Sequence, residues 1–326
     1  MSDPVETVAS ERRLKLPLRG VIPPVATPLK ESGDLDAAAL KRLVERVVTG
    51  GVHGLFLLGT TGEFCSLSAE TLRAVIDEGC AAAAGRVPVI VNVSGTALEE
   101  SVKLARHAAR AGAAAVAICP PFYYPITQDD LVRYTNKFSQ RVELPVFLYN
   151  IPQNATLEFA IETVHRLAET PNVVGVKNSN GNLDYLAAVN RVKAHHPAFS
   201  LLVGNEEIMM SAIDRGADGG VCGGANLFPR LYVRLYQALV EGRRSEAHQL
   251  QESIVKVAEA IYTVGPAGAS YLRGLKGALA EFGVCGASLA EPLEAFDRDE
   301  QRELRARLTA LNMNDFLKED ACGGLS

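Results

Sequence analysis

The sequence predicts an α/β chain folded as a (β/α)8 TIM barrel with a C-terminal helical extension. Three observations predict it. Short apolar runs alternate eight times with amphipathic helical stretches, within about 220 residues, a span suited to such a barrel. The runs are continuously apolar, as parallel strands buried on both faces should be. The connections are short, and no GxGxxG follows the first run, which disfavours a doubly wound sheet. At 326 residues and 48% hydrophobic composition, the chain can bury one large core. Aromatics are only 6%, which suits close-packed helices around a sheet.

The elements follow in order. Residues 1–17 are polar and charged and read as an N-terminal arm. Residues 18–241 carry the barrel. GVIPPVATPL (20–29) is a short strand running into a loop. LDAAALKRLVERVVTGG (35–51) has helical periodicity and a glycine stop. The strand VHGLFLLG (52–59) and the loop TTGEFCSL lead to a helix over 68–85, with Ser68 as its N-cap. Strands over 87–94, 113–120, 144–150, 172–177, 199–204 and 217–222 alternate with helices over 97–112, 128–142, 157–170, 181–196, 205–216 and 229–242. Three further helices are expected within 242–315. The barrel is complete without them, so they are expected to pack outside it or on another subunit. Residues 316–326 read as a loose tail.

Composition excludes several partners. The formal net charge is -5, the pI is near 5.8, and no Lys/Arg block stands out, so nucleic acid is not expected. The N-terminus has no apolar h-region and no run approaches about 18 apolar residues, so a cytoplasmic chain without membrane contact is expected. Cysteines 65, 80, 119, 222, 285 and 322 form no CxxC pair and read as reduced thiols. The six histidines are scattered, with no HExxH, so no metal is expected.

In a barrel of this kind, chemistry sits at the C-terminal ends of the strands. Strand six, NVVGVK, ends in Lys177. A lysine at a strand end ordinarily just reaches solvent. Held among apolar neighbours, its amine can lose a proton near neutral pH and attack a carbonyl. Strand five delivers Tyr149 to the same end, and a phenol beside that amine can move the protons that imine chemistry requires. Strand two delivers Gly59, Thr60, Thr61, Gly62 and Glu63, a polar nest suited to a carboxylate. The loop after strand four carries Tyr123. Hydroxyls of Thr60, Tyr149 and Tyr123 form a candidate relay. Asn154, Ser179 and Glu206, with Asn178, Asn180 and Asn205, suggest a polar pocket for a hydroxylated chain. Val221 and the glycines after it let backbone approach a ligand closely.

GTTGE (59–63), PFYYP (121–125), LYNIP (148–152), GVKNSNGN (175–182) and GADGGVCGGAN (216–226) together resemble the pyruvate-dependent class I aldolase family that includes dihydrodipicolinate synthase and N-acetylneuraminate lyase. The resemblance runs from about Gly20 to about Leu311 and agrees with the barrel reading. It implies no cofactor or metal, and a homotetramer built as a dimer of dimers. Lys177 would form the Schiff base and Tyr149 would be the catalytic phenol. Thr60 and Tyr123 would complete the proton relay, with Tyr123 reaching a neighbouring subunit's site. Gly59, Thr61 and nearby amides would bind the carboxylate of a 2-oxo acid such as pyruvate, and the Val221 carbonyl would lie near the imine.

Two positions depart from the synthase pattern. Asn154 stands where a synthase has an arginine, and Asn178 where it has an acid. A neutral amide offers no bidentate charged clamp. The expected activity is therefore cleavage of a 2-keto-3-deoxy sugar acid or related 4-hydroxy-2-oxo acid to pyruvate and an aldehyde. The alternatives are a sugar-acid dehydratase, N-acetylneuraminate lyase, 4-hydroxy-2-oxoglutarate aldolase, 4-hydroxy-tetrahydrodipicolinate synthase, or a non-catalytic 2-oxo acid sensor.

Overall fold

The computed structural model describes residues 14–266, 268 and 270–311. Within them, eight parallel strands alternate with helices: β1 (Gly20–Val21), α1 (Ala37–Thr49), β2 (Leu55–Leu57), α2 (Ala69–Ala83), β3 (Val89–Asn92), α3 (Leu98–Ala111), β4 (Ala115–Ile118), α4 (Gln128–Ser139), β5 (Val146–Asn150), α5 (Ile161–Ala168), β6 (Val173–Asn178), α6 (Leu183–Asn190), β7 (Ser200–Val203), α7 (Met209–Asp214), β8 (Gly219–Gly220) and α8 (Pro229–Val240). Three more helices follow, α9 (Arg244–Tyr262), α10 (Ser270–Glu281) and α11 (Arg298–Ala310). The expected arm falls mostly outside the described residues, and the expected tail lies wholly outside them.

The ladder runs β1-β8-β7-β6-β5-β4-β3-β2. It is barrel-like but open as a ladder between β1 and β2, where a closed barrel was expected. The reason is local. Pro23 and Pro24 follow β1, and proline has no N–H to give a ladder. A single parallel bridge, Pro24 to Phe56, spans the gap. Val25 donates to the Phe56 carbonyl at 2.9 Å, and Phe56 donates to the Pro23 carbonyl at 2.9 Å.

Side-chain alternation builds two cores. Leu55, Leu57, Val91, Val116, Leu148, Val176 and Leu201 face the helices. Phe56, Ile90, Ala117, Phe147, Tyr149 and Leu202 fill the interior. Tyr149 pairs with Lys177 across the β5–β6 ladder, so both point inward. Gly175, two residues earlier, must lack a side chain. A Cβ there would lie 2.7 Å from the Phe147 ring and 2.6 Å from the Ser200 carbonyl oxygen.

Helix boundaries depart from the sequence reading where side chains take the backbone donors. The helix expected from residue 157 begins at Ile161. The amide of Phe159 donates to Asn150 Oδ1 at 3.0 Å, and that of Ala160 to Gln128 Oε1 at 3.2 Å. Asp36, Ser68, Thr127 and Asn182 cap α1, α2, α4 and α6 with side-chain oxygens.

The extension does not pack away from the barrel. It reaches across the C-terminal ends of the strands. Gln251 of α9 donates to the Glu206 carbonyl at 3.0 Å. Lys276 of α10 is fully buried and donates to Glu63 Oε1 at 2.6 Å and to the Thr27 carbonyl at 2.9 Å. Glu63 Oε2 accepts from the Ala290 amide at 2.7 Å. Removing one member of such a pair leaves an uncompensated buried charge. Lys276→Met is expected to lower unfolding free energy by roughly 3–5 kcal/mol. The double change Glu63→Gln with Lys276→Met should recover much of that loss. Urea denaturation of the three proteins measures both.

Candidate active site

The loop after β2 is the tightest part of the site. Leu58 and Glu63 adopt left-handed backbone, φ 56 and 58, a conformation costing about 1–2 kcal/mol in a residue with a side chain. Three hydrogen bonds impose it. Asn92 Nδ2 donates to the Leu58 carbonyl at 2.7 Å, Thr27 Oγ1 to the Gly62 carbonyl at 2.8 Å, and the Glu63 amide to the Thr60 carbonyl at 3.0 Å. Glycine is required at 62, where a Cβ would come within 3.0 Å of the Leu58 backbone. The result presents the Thr60 and Thr61 hydroxyls to the interior. Gly59 lies at the turn itself, where a Cβ would meet the Phe56 ring at 3.0 Å.

These hydroxyls meet two tyrosines. Thr60 Oγ1 and Tyr149 OH share a hydrogen bond of 3.0 Å. Thr61 Oγ1 and Tyr271 OH share another of 2.9 Å. Lys177 lies beside them and is only 4% exposed. Its Nζ sits 3.9 Å from the Tyr149 ring centroid and 4.2 Å from that of Phe56. Burial among these groups disfavours the ammonium form and lowers its pKa to about 7. The same burial pushes the Tyr149 phenol well above its ordinary range, against the opposing bond to Thr60. The site therefore holds a phenol that keeps its proton and an amine that readily gives one up.

One cavity of about 490 Å³ gathers most of the expected residues: Thr60, Thr61, Tyr149, Asn154, Lys177, Ser179, Glu206 and Val221. Asn205, Gln153 and Glu207 also line it. Two expectations, Asn178 and Asn180, are corrected. Asn178 follows Lys177 and so faces the other side of the sheet. It is fully buried, accepts from Asn150 Nδ2 at 2.7 Å and donates to Asn180 Oδ1 at 2.7 Å. Asn180 belongs to that same outer network through Glu158. Tyr123 is 75% exposed and packs edge-on against Tyr124 at 5.0 Å, away from the Thr60–Tyr149 pair of its own chain.

The sequence reading missed Tyr262, Tyr271 and Leu272, which bring the C-terminal helices into the cavity wall. One signal was present. Leu272, Leu275 and Leu279 form an apolar stripe at helical spacing, and Lys276 interrupts it. A lysine on the buried face of a helix calls for a buried acid. The five described cysteines are free thiols, and Cys322 lies outside the described residues. Among the described residues, no group of three or more His, Cys, Asp or Glu could hold a metal, and no helix is long and apolar enough to cross a membrane.

Comparison with known proteins adds a family to this geometry. The profile of the dihydrodipicolinate synthetase family matches residues 17–311. The chain belongs to this family. A probable 2-dehydro-3-deoxy-D-pentonate aldolase from Escherichia coli K12 is 34% identical over 247 residues, 75% of this chain and 82% of that one. The structure of a dihydrodipicolinate synthase from Bacteroides thetaiotaomicron is 43% identical, with TM-score 0.88, over 91% of this chain and 100% of that one. A prophage protein of the dihydrodipicolinic acid synthase family from Escherichia coli K12, solved in complex with pyruvate, is 27% identical with TM-score 0.86, over 91% of this chain and 99% of that one. Membership makes the chain an enzyme of the class I pyruvate-dependent aldolase type, with aldol cleavage or condensation as its general chemistry.

The buried amine has consequences for stability and reactivity. Its folded-state pKa of about 7 lies below the ordinary 10.5. The cost of burying the charged form is fully present below pH 7 and fades between about 7 and 10.5. Lys177→Met should therefore raise the denaturation midpoint, most below pH 7 and least near pH 10. Covalent modification of Lys177 by an amine-selective reagent should rise through about pH 7, as read by intact and peptide mass. A midpoint near 10 would place the amine in water.

Proposed function

We propose that the chain is a Schiff-base-forming lyase cleaving a 2-keto-3-deoxy sugar acid or related 4-hydroxy-2-oxo acid to pyruvate and an aldehyde. The observation that carries this reading is the in-register pair of Lys177 and Tyr149, with Tyr149 bonded to Thr60. The neutral Lys177 amine attacks the C2 ketone. Loss of water gives a protonated imine on Nζ. The new cation lowers the pKa of the adjacent phenol. Tyr149 takes the C4 hydroxyl proton as the C3–C4 bond breaks; its own proton moves to Thr60 Oγ1 while the Thr60 hydroxyl proton passes onward toward solvent, and the same path run in reverse returns the proton that C3 takes up. The bond electrons collapse into the iminium as an enamine, and the aldehyde departs. Protonation at C3 and addition of water then release pyruvate and restore the amine. No cofactor enters this sequence.

Thr61 and adjacent amides are suited to the 2-oxo acid carboxylate. Ser179, Asn154 and Asn205 line the remaining wall with neutral donors and acceptors, which suits hydroxyl groups. The relatives support pyruvate as the shared half, since one was solved with it and another is named as a 2-dehydro-3-deoxy-D-pentonate aldolase. In the same reading the assembly is a homotetramer, and the exposed Tyr123 serves the site of a neighbouring subunit, completing the relay there.

Borohydride reduction with pyruvate, followed by intact-mass measurement, tests the imine. The expected result is one pyruvyl adduct per chain that disappears in Lys177→Ala. Tyr149→Phe should keep the adduct while losing roughly 10²–10⁴ in kcat. A panel of 4-hydroxy-2-oxo acids, read for both pyruvate release and water loss, separates aldolase from dehydratase. Full turnover by Tyr149→Phe would remove the phenol from the mechanism.

A further inference from the structure

Glu206 is a carboxylate for which the reaction above has no task. It is 3% exposed and lines the same cavity as Lys177. Its Oε1 accepts from Tyr232 OH at 2.7 Å and Tyr262 OH at 3.0 Å, and its Oε2 accepts from the Gly224 amide at 2.9 Å. These donors come from α8, the end of α9 and the segment after β8. With three donors in place, little acceptor capacity is left for a substrate hydroxyl, so direct substrate contact fits Glu206 poorly.

All three donors are neutral. They favour the ionised carboxylate, whereas burial opposes it and raises the pKa to about 7. The other titratable groups facing Glu206 are Cys222, Glu207 and Tyr271, and none is a cation. Among the described residues lining the cavity, Lys177 is the one lysine, and no arginine is present. The cavity thus holds both a buried acid and an amine whose ammonium form burial disfavours.

We infer that Glu206 is the counter-charge for the protonated imine on Lys177, a positioning residue that acts through the field of the cavity. The inference rests on the Schiff-base reading of Lys177. Imine formation from the neutral amine consumes one proton, releases one water and leaves a fixed cation in a dry space. An anion elsewhere in the same cavity stabilises that cation. At an effective dielectric of about 20, two unit charges about 10 Å apart shift an equilibrium by roughly tenfold, the scale expected for imine stability. The arrangement also ties charge to shape. The carboxylate that balances the iminium holds Tyr262 of the cavity roof and the backbone at Gly224.

A counter-charge acts pH-dependently, which a purely structural role does not. At pH 8.5 Lys177 is neutral and Glu206 ionised, so the imine creates a new cation against an existing anion. At pH 5.5 Lys177 is already cationic and Glu206 protonated, so imine formation changes little charge. Pyruvate is titrated calorimetrically into the full-length wild type, Glu206→Gln and Glu206→Asp at both pH values. Reduced samples are weighed intact to count the Lys177 adduct. Glu206→Gln should weaken pyruvate about tenfold at pH 8.5 and less than twofold at pH 5.5, with Glu206→Asp restoring part of the loss at pH 8.5. Equal weakening at both values would overturn the inference and leave Glu206 as a packing residue. Unchanged affinity at pH 8.5 would overturn it as well. Absence of the adduct in the wild type would instead overturn the Schiff-base reading itself.

Discussion

The buried pair of Glu63 and Lys276 joins the two parts of the molecule that the site requires. Glu63 ends the strained loop that presents Thr60 and Thr61. Lys276 belongs to α10, which carries Tyr271 and Leu272 into the cavity. Their contact, with the bonds to Thr27 and Ala290, fixes the loop against the helix. A buried ion pair gains little net stability over an apolar replacement, because desolvation offsets most of the attraction. What it does supply is register. A wrongly docked helix would leave both charges buried and unpaired, so the correct docking is selected strongly even if it is stabilised weakly.

That docking bears directly on the chemistry. Lys177 owes its lowered pKa to the exclusion of water, with no cation nearby to push it down. The walls that exclude water come in part from Tyr262, Tyr271 and Leu272. Without the C-terminal helices the amine would face solvent, and its pKa would move back toward 10.5. The two buried lysines therefore divide the labour. Lys276 has the Glu63 carboxylate and the Thr27 carbonyl and serves as an anchor. Lys177 has aromatic faces at 3.9 and 4.2 Å and is left available as the nucleophile of the proposed reaction. The same side chain takes opposite roles because one site supplies acceptors and the other withholds them.

This division explains how much was legible in the sequence. Lys177 and Tyr149 were legible because they end continuous apolar strands, and period-two alternation places both inward. The barrel-like order was legible for the same reason, from eight repeats of one pattern. Asn178 and Asn180 were misplaced because polarity alone does not say which face a residue takes. Adjacency to an inward lysine sends Asn178 outward, where it joins Asn150 and Glu158. Tyr262 and Tyr271 were not legible. Their place depends on how helices beyond the barrel dock, a tertiary matter that local periodicity does not carry. The open β1–β2 ladder follows from Pro23 and Pro24, which the sequence displays plainly, yet a pattern of eight strands outweighed them.

The charge balance of the cavity bears on which substrate the proposed lyase takes. The chain's one cavity-lining lysine is consumed as the imine, and Glu206 and Glu207 also line the wall. An acceptor carrying its own carboxylate at the far end would meet acids and amides there, with Asn154 offering a dipole where a guanidinium would offer two charged donors. Desolvating that carboxylate would cost several kcal/mol without a compensating cation. A neutral hydroxylated chain faces no such cost. Its hydroxyls can donate to Glu207 and accept from the amides of Asn154 and Asn205. The first carboxylate, on the pyruvyl half, is different, because it lies beside the iminium and the Thr60–Thr61 nest. The proposed preference for a 2-keto-3-deoxy sugar acid over a substrate with a second carboxylate thus follows from where this cavity keeps its charges.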